Sequence, residues 1–276
     1  MSRIAARFAA LKQQDRAALI PFVEAWDPDA ATSMALLRGM PGAGADLIEI
    51  GMPFTDPMAD GPTIQAAGKR ALKAGATMAH TLAMVREFRR EDDTTPIVLM
   101  GYLNPILTYE PQRFCSDAAA AGVDGLIVVD LPTEESDLLV PHATANELDV
   151  IRLIAPTTGD RRLPLVLAGS SGFVYYVSIT GITGTRTGTA DHLAEAIPRV
   201  RKVTDLPIAV GFGVRSPEQA AIVAREADAA VVASALIDTL TSSLDANHRA
   251  RPDTVRRVLD QVRALAEGVR SARVGA

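Results

Sequence analysis

The chain has 276 residues and is 48% apolar, which is enough to bury a large core. Its formal net charge is −5 and no cluster of Lys and Arg alternates with aromatic residues, so the composition argues against nucleic acid as a partner. No uncharged apolar run reaches the roughly 18 residues that a membrane-spanning helix needs.

The first predicted element is a helix over residues 1–16. Ile4, Phe8 and Leu11 recur at helical spacing and a strand-like run follows directly, so this segment is expected to pack on the domain rather than act as a cleaved signal. The single cysteine, Cys115, excludes an intrachain disulfide framework and fits a reducing cytoplasm, which is the expected location.

Short apolar runs alternate with helical patterns along the rest of the chain. Eight runs are almost wholly apolar, as strands covered on both faces must be. They span 18–23, 45–50, 96–102, 124–130, 149–154, 172–178, 206–212 and 228–234. Helical patterns fall at 30–40, 62–74, 78–90, 111–121, 133–146, 160–168, 192–203, 216–226 and 252–270, and a short helix, ALIDTL, follows the eighth run.

Successive strand and helix units of this kind predict an α/β fold, a single-domain (β/α)8 TIM barrel over residues 1–276 with an extra N-terminal helix. An open doubly wound sheet is the alternative, but no GxGxxG motif follows the first strand. Residues 271–276 are expected to form a frayed tail.

The segment DLIEIGMPFTDPMADGPTIQ, residues 46–65, contains two carboxylates in unusual places. Glu49 lies inside an apolar strand run, where burial should raise its pKa, and Asp60 lies in a loop rich in Pro and Gly. Such a pair suits proton transfer at the C-terminal mouth of a barrel, provided that Leu47 faces the barrel core. The competing interpretation is a paired structural Glu49 and an Asp60 that caps a helix near Pro62.

Two further groups of residues fall at later strand ends. Tyr175 and Tyr176 alternate in the sixth strand, so one faces the barrel interior, and the sequence does not say which. SITGITGTRTG (178–188), GFGV (211–214) and Ala233–Ser234 follow the sixth, seventh and eighth strands. Backbone amides that converge there on a helix N-terminus predict a phosphate site.

Other reaction types lack their usual residues. None of the four lysines lies at a strand end, which disfavours Schiff-base chemistry. The four histidines map to helices or connections and no pair has metal-ligand spacing, so no metal is expected. Cys115 has no nucleophile context and is interpreted as a packing residue.

In this order and at these strand ends, EIGMPFTDPMADGPTIQ, MGYLNPI, VVDLP, YYVSITGITG and GFGV resemble the tryptophan synthase alpha chain family over essentially the whole length. The resemblance implies a lyase that cleaves indole-3-glycerol phosphate to indole and glyceraldehyde 3-phosphate. It also implies that the chain itself has no cofactor and that its partner is a beta chain carrying pyridoxal phosphate, in an α2β2 complex.

The resemblance assigns roles by position. It implies catalytic roles for Glu49, Asp60 and Tyr175, and phosphate binding by Gly184, Gly213, Ala233 and Ser234. The implied substrate pocket comprises Phe22, Ile64, Tyr102, Leu126, Thr183 and Phe212. The positions implied to face the beta chain are Asp56, Pro57, Asn104 and Pro132.

Two positions depart from the family pattern. Ala233 stands where the family usually has glycine beside the phosphate, and Trp26 stands where glycine is common near the first strand. Alternative functions are another phosphate-binding barrel of aromatic amino acid synthesis, a mainly regulatory subunit, and an indole-releasing lyase that works without a partner. The first would need a differently placed acid and base, and the second is disfavoured because Glu49, Asp60 and Tyr175 occur together.

Overall fold

The computed structural model describes residues 2–177, 186–211 and 213–273, with only the backbone described at 186–189. Its strands are β1 Ala18–Glu24, β2 Ile48–Gly51, β3 Ile97–Gly101, β4 Gly125–Val128, β5 Asp149–Val150, β6 Arg152–Ile154, β7 Val174–Val177, β8 Ile208–Gly211 and β9 Ala229–Val232. The paired strands are all parallel, as the alternating pattern predicted.

Helices follow the strands. They are α1 Arg3–Gln13, α2 Ala30–Ala43, α3 Pro62–Lys73, α4 Met78–Phe88, α5 Leu103–Tyr109, α6 Pro111–Ala121, α7 Val140–Ala145, α8 Leu163–Leu167, α9 Arg186–Arg201, α10 Pro217–Glu226, α11 Ser234–Ser243 and α12 Thr254–Ser271. Four of them begin where a side chain accepts a hydrogen bond from the first turn, which satisfies an otherwise unpaired backbone N–H. The capping residues are Ser2, Asp29, Thr77 and Ser216.

The sheet closes on itself within one short stretch of chain. Its strand order is β5-β4-β3-β2-β1-β9-β8-β7-β6, so the two edge strands are neighbours in sequence. Only Ile151 separates them, and its N–H donates to the Leu126 carbonyl across the junction at 3.0 Å. The predicted run 149–154 therefore contributes one strand to each edge of the sheet. The architecture is a nearly closed barrel, which confirms the predicted fold class.

The core has an inner cluster and an outer layer. Leu47 and Tyr175 point into the barrel, where they join Ile4, Phe8 and Leu11 from α1 in one buried cluster. The predicted N-terminal helix thus packs against the interior residues, with the Phe8 and Phe173 ring centroids 5.9 Å apart. Outward-facing strand residues such as Tyr176, and helix residues such as Cys115, pack between the sheet and the surrounding helices.

The structure differs from the predicted helices in two places. The pattern over 133–146 forms a 3-10 helix, Thr133–Leu138, and then α7, because Pro141 cannot supply the N–H of a continuous helix. The sequence patterns also missed α5, where Pro105 occupies the first turn and so needs no N–H.

Candidate active site

A cavity of about 550 Å³ lies at the C-terminal ends of the strands. It brings together many of the residues that the sequence analysis singled out. Those that line it are Phe22, Glu49, Asp60, Ile64, Tyr175, Gly213, Ala233 and Ser234. Acid–base, apolar and phosphate-type groups therefore share one enclosure, at the end of the barrel where such enzymes carry out their chemistry.

Glu49 is a buried carboxyl group on the wall of this cavity. The residue is 1% exposed, and its Oε2 has no hydrogen-bond partner among the described residues. Burial, together with the smaller effect of the negative charge of Asp60, raises the pKa of Glu49 to about 8. Glu49 therefore holds a proton at neutral pH, and an unpartnered carboxyl beside an open cavity can exchange that proton with a bound molecule.

Asp60 reaches the same cavity from the loop that precedes α3. Burial raises the pKa of its carboxyl group, and a hydrogen bond from the Tyr102 hydroxyl lowers it. That hydroxyl also accepts a hydrogen bond from the Ala59 N–H at 3.0 Å, which positions the loop. The N-cap of α3 is Gly61, with no side-chain cap bond, so the interpretation of Asp60 as a helix cap is wrong.

Tyr175 is the member of the tyrosine pair that faces the barrel interior, whereas Tyr176 packs against the helices. Burial raises the pKa of Tyr175, and the nearby charge of Glu49 adds to that rise. Gly211 on the adjacent strand makes room for it: a Cβ at that position would lie 2.2 Å from the Tyr175 hydroxyl oxygen. The position of the Tyr175 ring therefore depends on the absence of a side chain at residue 211.

We expect Gly211→Ala to displace Tyr175 and to lower both stability and activity. The added methyl group would also lie 2.6 Å from Tyr175 Cζ, so the core must shift, at a cost of about 1–3 kcal/mol. Chemical unfolding and indole release measure the two effects. Gly42→Ala is the control, since a Cβ there meets nothing within 4 Å. Equal behaviour of the two variants would contradict this packing argument.

One part of the cavity wall offers backbone amides rather than carboxyl groups. It is formed by Gly213, Ala233 and Ser234. Gly213 has φ +82°, a conformation that favours glycine. Ser234 is the first residue of α11, so the N-terminal amides of that helix lie at the cavity. Ala233 has φ −117°, which an alanine adopts without strain, and its side chain packs in an apolar cluster with Phe22 and Ile64.

Not every predicted pocket residue lines the cavity. Leu126 lies on the outer face of β4 among residues that pack against the helices, so its assignment to the pocket is wrong. Strand alternation gives the inner face to Ile127 and Val129, and Val129 lines the cavity. Tyr102, also predicted for the pocket, borders a separate small cavity instead. Thr183, Gly184 and Phe212 lie outside the described residues.

A second buried carboxylate, which was not predicted from the sequence, lies beside Asp60. Glu24, the last residue of β1, is 6% exposed and shares a small cavity of about 20 Å³ with Asp60 and Tyr102. Burial holds the pKa of Glu24 well above its ordinary value, the charges of Asp60 and Asp27 raise it further, and Arg70 opposes them. Its signal, a charge at the end of an apolar run, is the same one that revealed Glu49.

Trp26 lies beside the mouth without entering it. Its φ of +70° is left-handed, which explains why glycine suits this position. The Trp26 ring stacks on His80 at 4.4 Å with an interplanar angle of 14°, and it packs with the outer core. This departure therefore changes the packing outside the barrel and leaves the acid–base pair untouched.

The four residues predicted to face a partner lie on loops or helices that follow β2, β3 and β4. Asp56, Asn104 and Pro132 are exposed and Pro57 is half-buried. Nearby Met58 is 83% exposed, a large apolar side chain open to solvent at the same end of the barrel.

Within the described ranges, no group of three or more His, Cys, Asp or Glu side chains could hold a metal ion. None of the described helices is long and apolar enough to cross a membrane.

Comparison with known proteins gives one consistent family. The family model described as tryptophan synthase alpha chain matches residues 8–270. The chain is 71% identical to the tryptophan synthase alpha chain of Granulibacter bethesdensis, over 100% of this chain and 99% of the relative. It is 70% identical to that of Gluconacetobacter diazotrophicus, over 99% of this chain and 100% of the relative.

The chain belongs to the tryptophan synthase alpha chain family. The alpha chain of this family is the indole-3-glycerol phosphate lyase subunit; it has no cofactor itself, and pyridoxal phosphate is in the beta chain.

Solved structures of the tryptophan synthase family have the same fold. The crystal structure of tryptophan synthase subunit alpha from Legionella pneumophila superposes with a TM-score of 0.89 at 34% identity, covering 98% of each chain. A chain of the Mycobacterium tuberculosis tryptophan synthase in its aminoacrylate-bound form gives a TM-score of 0.85 at 36% identity, covering 98% of this chain and 100% of that one.

Proposed function

We propose that the chain cleaves indole-3-glycerol phosphate with Glu49 as the general acid and then the base. One observation carries this assignment. Glu49 is buried on the cavity wall with Oε2 unpartnered among the described residues, and its pKa is raised to about 8. A carboxyl group in this state keeps its proton at neutral pH and can give it to a bound substrate.

The reaction needs two proton transfers. Carbon 3 of the indole ring gains a proton from Glu49, and positive charge develops at the ring nitrogen. The hydroxyl on the carbon attached to the ring then loses its proton to the Glu49 carboxylate. As the aldehyde forms, the carbon–carbon bond breaks and its electron pair returns to the ring, which leaves as indole. The ring itself accepts the charge, so no cofactor in this chain is required.

Asp60 and Tyr175 complete the proposed acid–base site. Asp60 accepts a hydrogen bond from the ring N–H and stabilises the charge that develops there. Burial raises the pKa of Asp60, and the hydrogen bond from Tyr102 opposes that rise and so favours the ionised form that this role requires. Tyr175, buried beside Glu49, contacts the region of the bond that breaks.

The rest of the substrate fits the remaining walls. Phe22, Ile64, Met100 and Val129 supply apolar surface for the indole ring. Gly213, Ala233 and Ser234 supply backbone amides for the phosphate, in the manner of other helix N-termini. We assign Tyr102 to the support of Asp60, because it borders the smaller cavity with that residue.

We also propose that the chain works with a beta chain in an α2β2 complex in the cytoplasm. The exposed Asp56, Asn104 and Pro132, with Pro57 and the largely exposed Met58, form the candidate surface at the same end of the barrel as the site. A mixed polar and apolar surface of this kind suits a protein partner. Its position would let indole pass from the site into the partner.

The deciding experiment is indole release from indole-3-glycerol phosphate by the purified chain, with and without a tryptophan synthase beta chain. We expect slow release by the chain alone and faster release with the beta chain, because docking on the loop after β2 would hold Asp60 in place at the site. If the beta chain does not change the rate of indole release, the lyase proposal stands and the partner proposal is refuted. If no indole is released with or without the beta chain, the lyase proposal is refuted.

A further inference from the structure

The lining of the main cavity offers little positive charge to an anionic substrate. Among the described residues that line it, Glu49 and Asp60 are acidic and Arg215 is the one cationic side chain. A phosphate monoester carries close to two negative charges at neutral pH. Backbone amides alone would have to hold that group in a cavity with two carboxyl groups, so a cation at the phosphate end would strengthen binding.

Arg215 lies at the phosphate end. It follows Gly213 by two residues and lines the same cavity as Ser234. Its Nη2 donates to Asp238 Oδ2 at 2.5 Å, and Asp238 lies one turn into α11, the helix that begins at Ser234. The Arg215 head group is therefore tied to the helix whose N-terminal amides face the cavity.

A second contact ties this arrangement to α3. The other carboxylate oxygen of Asp238 accepts a hydrogen bond from Thr63 Oγ1 at 3.2 Å, and Thr63 also lines the cavity. Asp238 thus joins the loop after β8, helix α11 and the first turn of α3 around one point. The backbone N–H of Arg215 donates to Gln219 Oε1 at 2.7 Å, which fixes the start of the side chain.

The guanidinium retains donors for a ligand. Nε and Nη1 of Arg215 make no hydrogen bond to another described residue, and only Nη2 contacts Asp238. A guanidinium can hold a carboxylate on one edge and offer its other edge to a phosphate with two parallel N–H groups. The side chain is 56% exposed, so it can adjust toward an incoming group without unpacking the core.

We propose that Arg215 is a substrate-binding residue that contacts the phosphate group, with Asp238 holding it in position. The proposal rests on the proposed function, since it takes the phosphate of indole-3-glycerol phosphate as the ligand. It assigns Arg215 to binding rather than to the two proton transfers, which belong to Glu49. The competing interpretation is a surface ion pair that only supports the loop.

The kinetic test compares Arg215→Gln with Arg215→Lys and with the control Arg256→Gln. Arg256 is also an exposed arginine paired with an aspartate, Asp260, but it lies on α12 away from the cavity. We expect Arg215→Gln to raise KM about tenfold with kcat nearly unchanged, because a charge-assisted contact to a partly exposed group is lost. The lysine variant should recover part of the loss, and the control should match wild type.

A binding measurement separates this proposal from the lyase proposal. Titration of the whole chain with glycerol 3-phosphate should give a dissociation constant about tenfold higher for Arg215→Gln than for wild type, and the difference should shrink at high salt. Equal dissociation constants and equal KM values would overturn the role of Arg215 while leaving indole release intact. A wild-type chain that binds glycerol 3-phosphate through Arg215 but releases no indole would instead refute the proposed reaction.

Discussion

Replacing Glu49 with glutamine is expected to lower kcat for indole release by about 10³-fold. Glutamine keeps the size of the side chain and the neutral state that burial favours, but it has no proton to transfer. In the wild-type protein, kcat/KM should also fall as the pH rises through about 8, because the free folded chain then loses the Glu49 proton. Steady-state rates over a pH series, with and without the beta chain, measure both effects.

Glu24→Gln is the matched control for this variant. Both positions are buried carboxyl groups whose pKa burial raises, so the same change of chemistry is made twice. Only Glu49 lines the main cavity, and we expect Glu24→Gln to keep kcat close to that of wild type. If the two variants lost activity equally, the proton donor would have to be sought elsewhere.

Replacing Glu49 with glutamine should raise the stability of the folded chain at high pH, although it lowers the activity. The pKa of Glu49 is about 8 in the folded chain against an ordinary value of 4.5. A raised pKa of this kind contributes stability that is fully present below 4.5 and is lost as the pH rises toward 8. Glu49→Gln should therefore be more stable than wild type at pH 9, so its loss of activity cannot be ascribed to unfolding.

Replacing Asp124 with alanine is expected to lower the free energy of unfolding by about 3–5 kcal/mol, because it leaves a buried cation without its partner. Asp124 Oδ2 accepts from Arg89 Nη2 at 2.7 Å and from the Ile97 N–H at 2.7 Å. Its Oδ1 accepts from Arg3 Nη1 at 2.9 Å, so one side chain joins α4, α1 and the start of β3. Urea unfolding at constant pH measures the loss.

Asp260→Ala provides the comparison. Asp260 pairs with Arg256 and Arg263 on the exposed face of α12, and removing exposed pairs costs at most about 1 kcal/mol. Asp124 lies at the opposite end of the barrel from the cavity, so folded Asp124→Ala protein should keep its rate per molecule. A loss no larger than that of Asp260→Ala would show that the buried network contributes little.

Much of the barrel could be predicted from the sequence, since parallel strands covered on both faces must be apolar and their spacing leaves room for the helices. Its closure could not, because a six-residue run gives no sign that Asp149–Val150 and Arg152–Ile154 pair with different neighbours. The 3-10 segment and α5 depend on where a proline falls within a turn, which hydrophobic periodicity does not register.

The candidate site could likewise be predicted only in part. Glu49 was found because a charge interrupts an apolar strand, and alternation from Leu47 then gave its direction. Leu126 was misplaced because its role was carried over by position from the resemblance, and the apolar strand Gly125–Val128 does not itself show which face points inward. Glu24 was missed because its strand was ended at Val23, one residue too early. Charges at the ends of buried strands are therefore the positions to inspect first in chains of this kind.

The narrow space between β1 and β2 also bears on how this protein can evolve. A Cβ at Gly51 would lie 2.2 Å from Glu24 Oε2 and 2.6 Å from Phe22 Cζ. A larger residue at position 51 therefore requires a shorter side chain at position 24 and a displaced or smaller one at position 22. Shortening position 24 first, with glycine still at position 51, creates no clash of this kind. Among relatives, we expect the two positions to covary, with long side chains at 24 accompanied by glycine at 51.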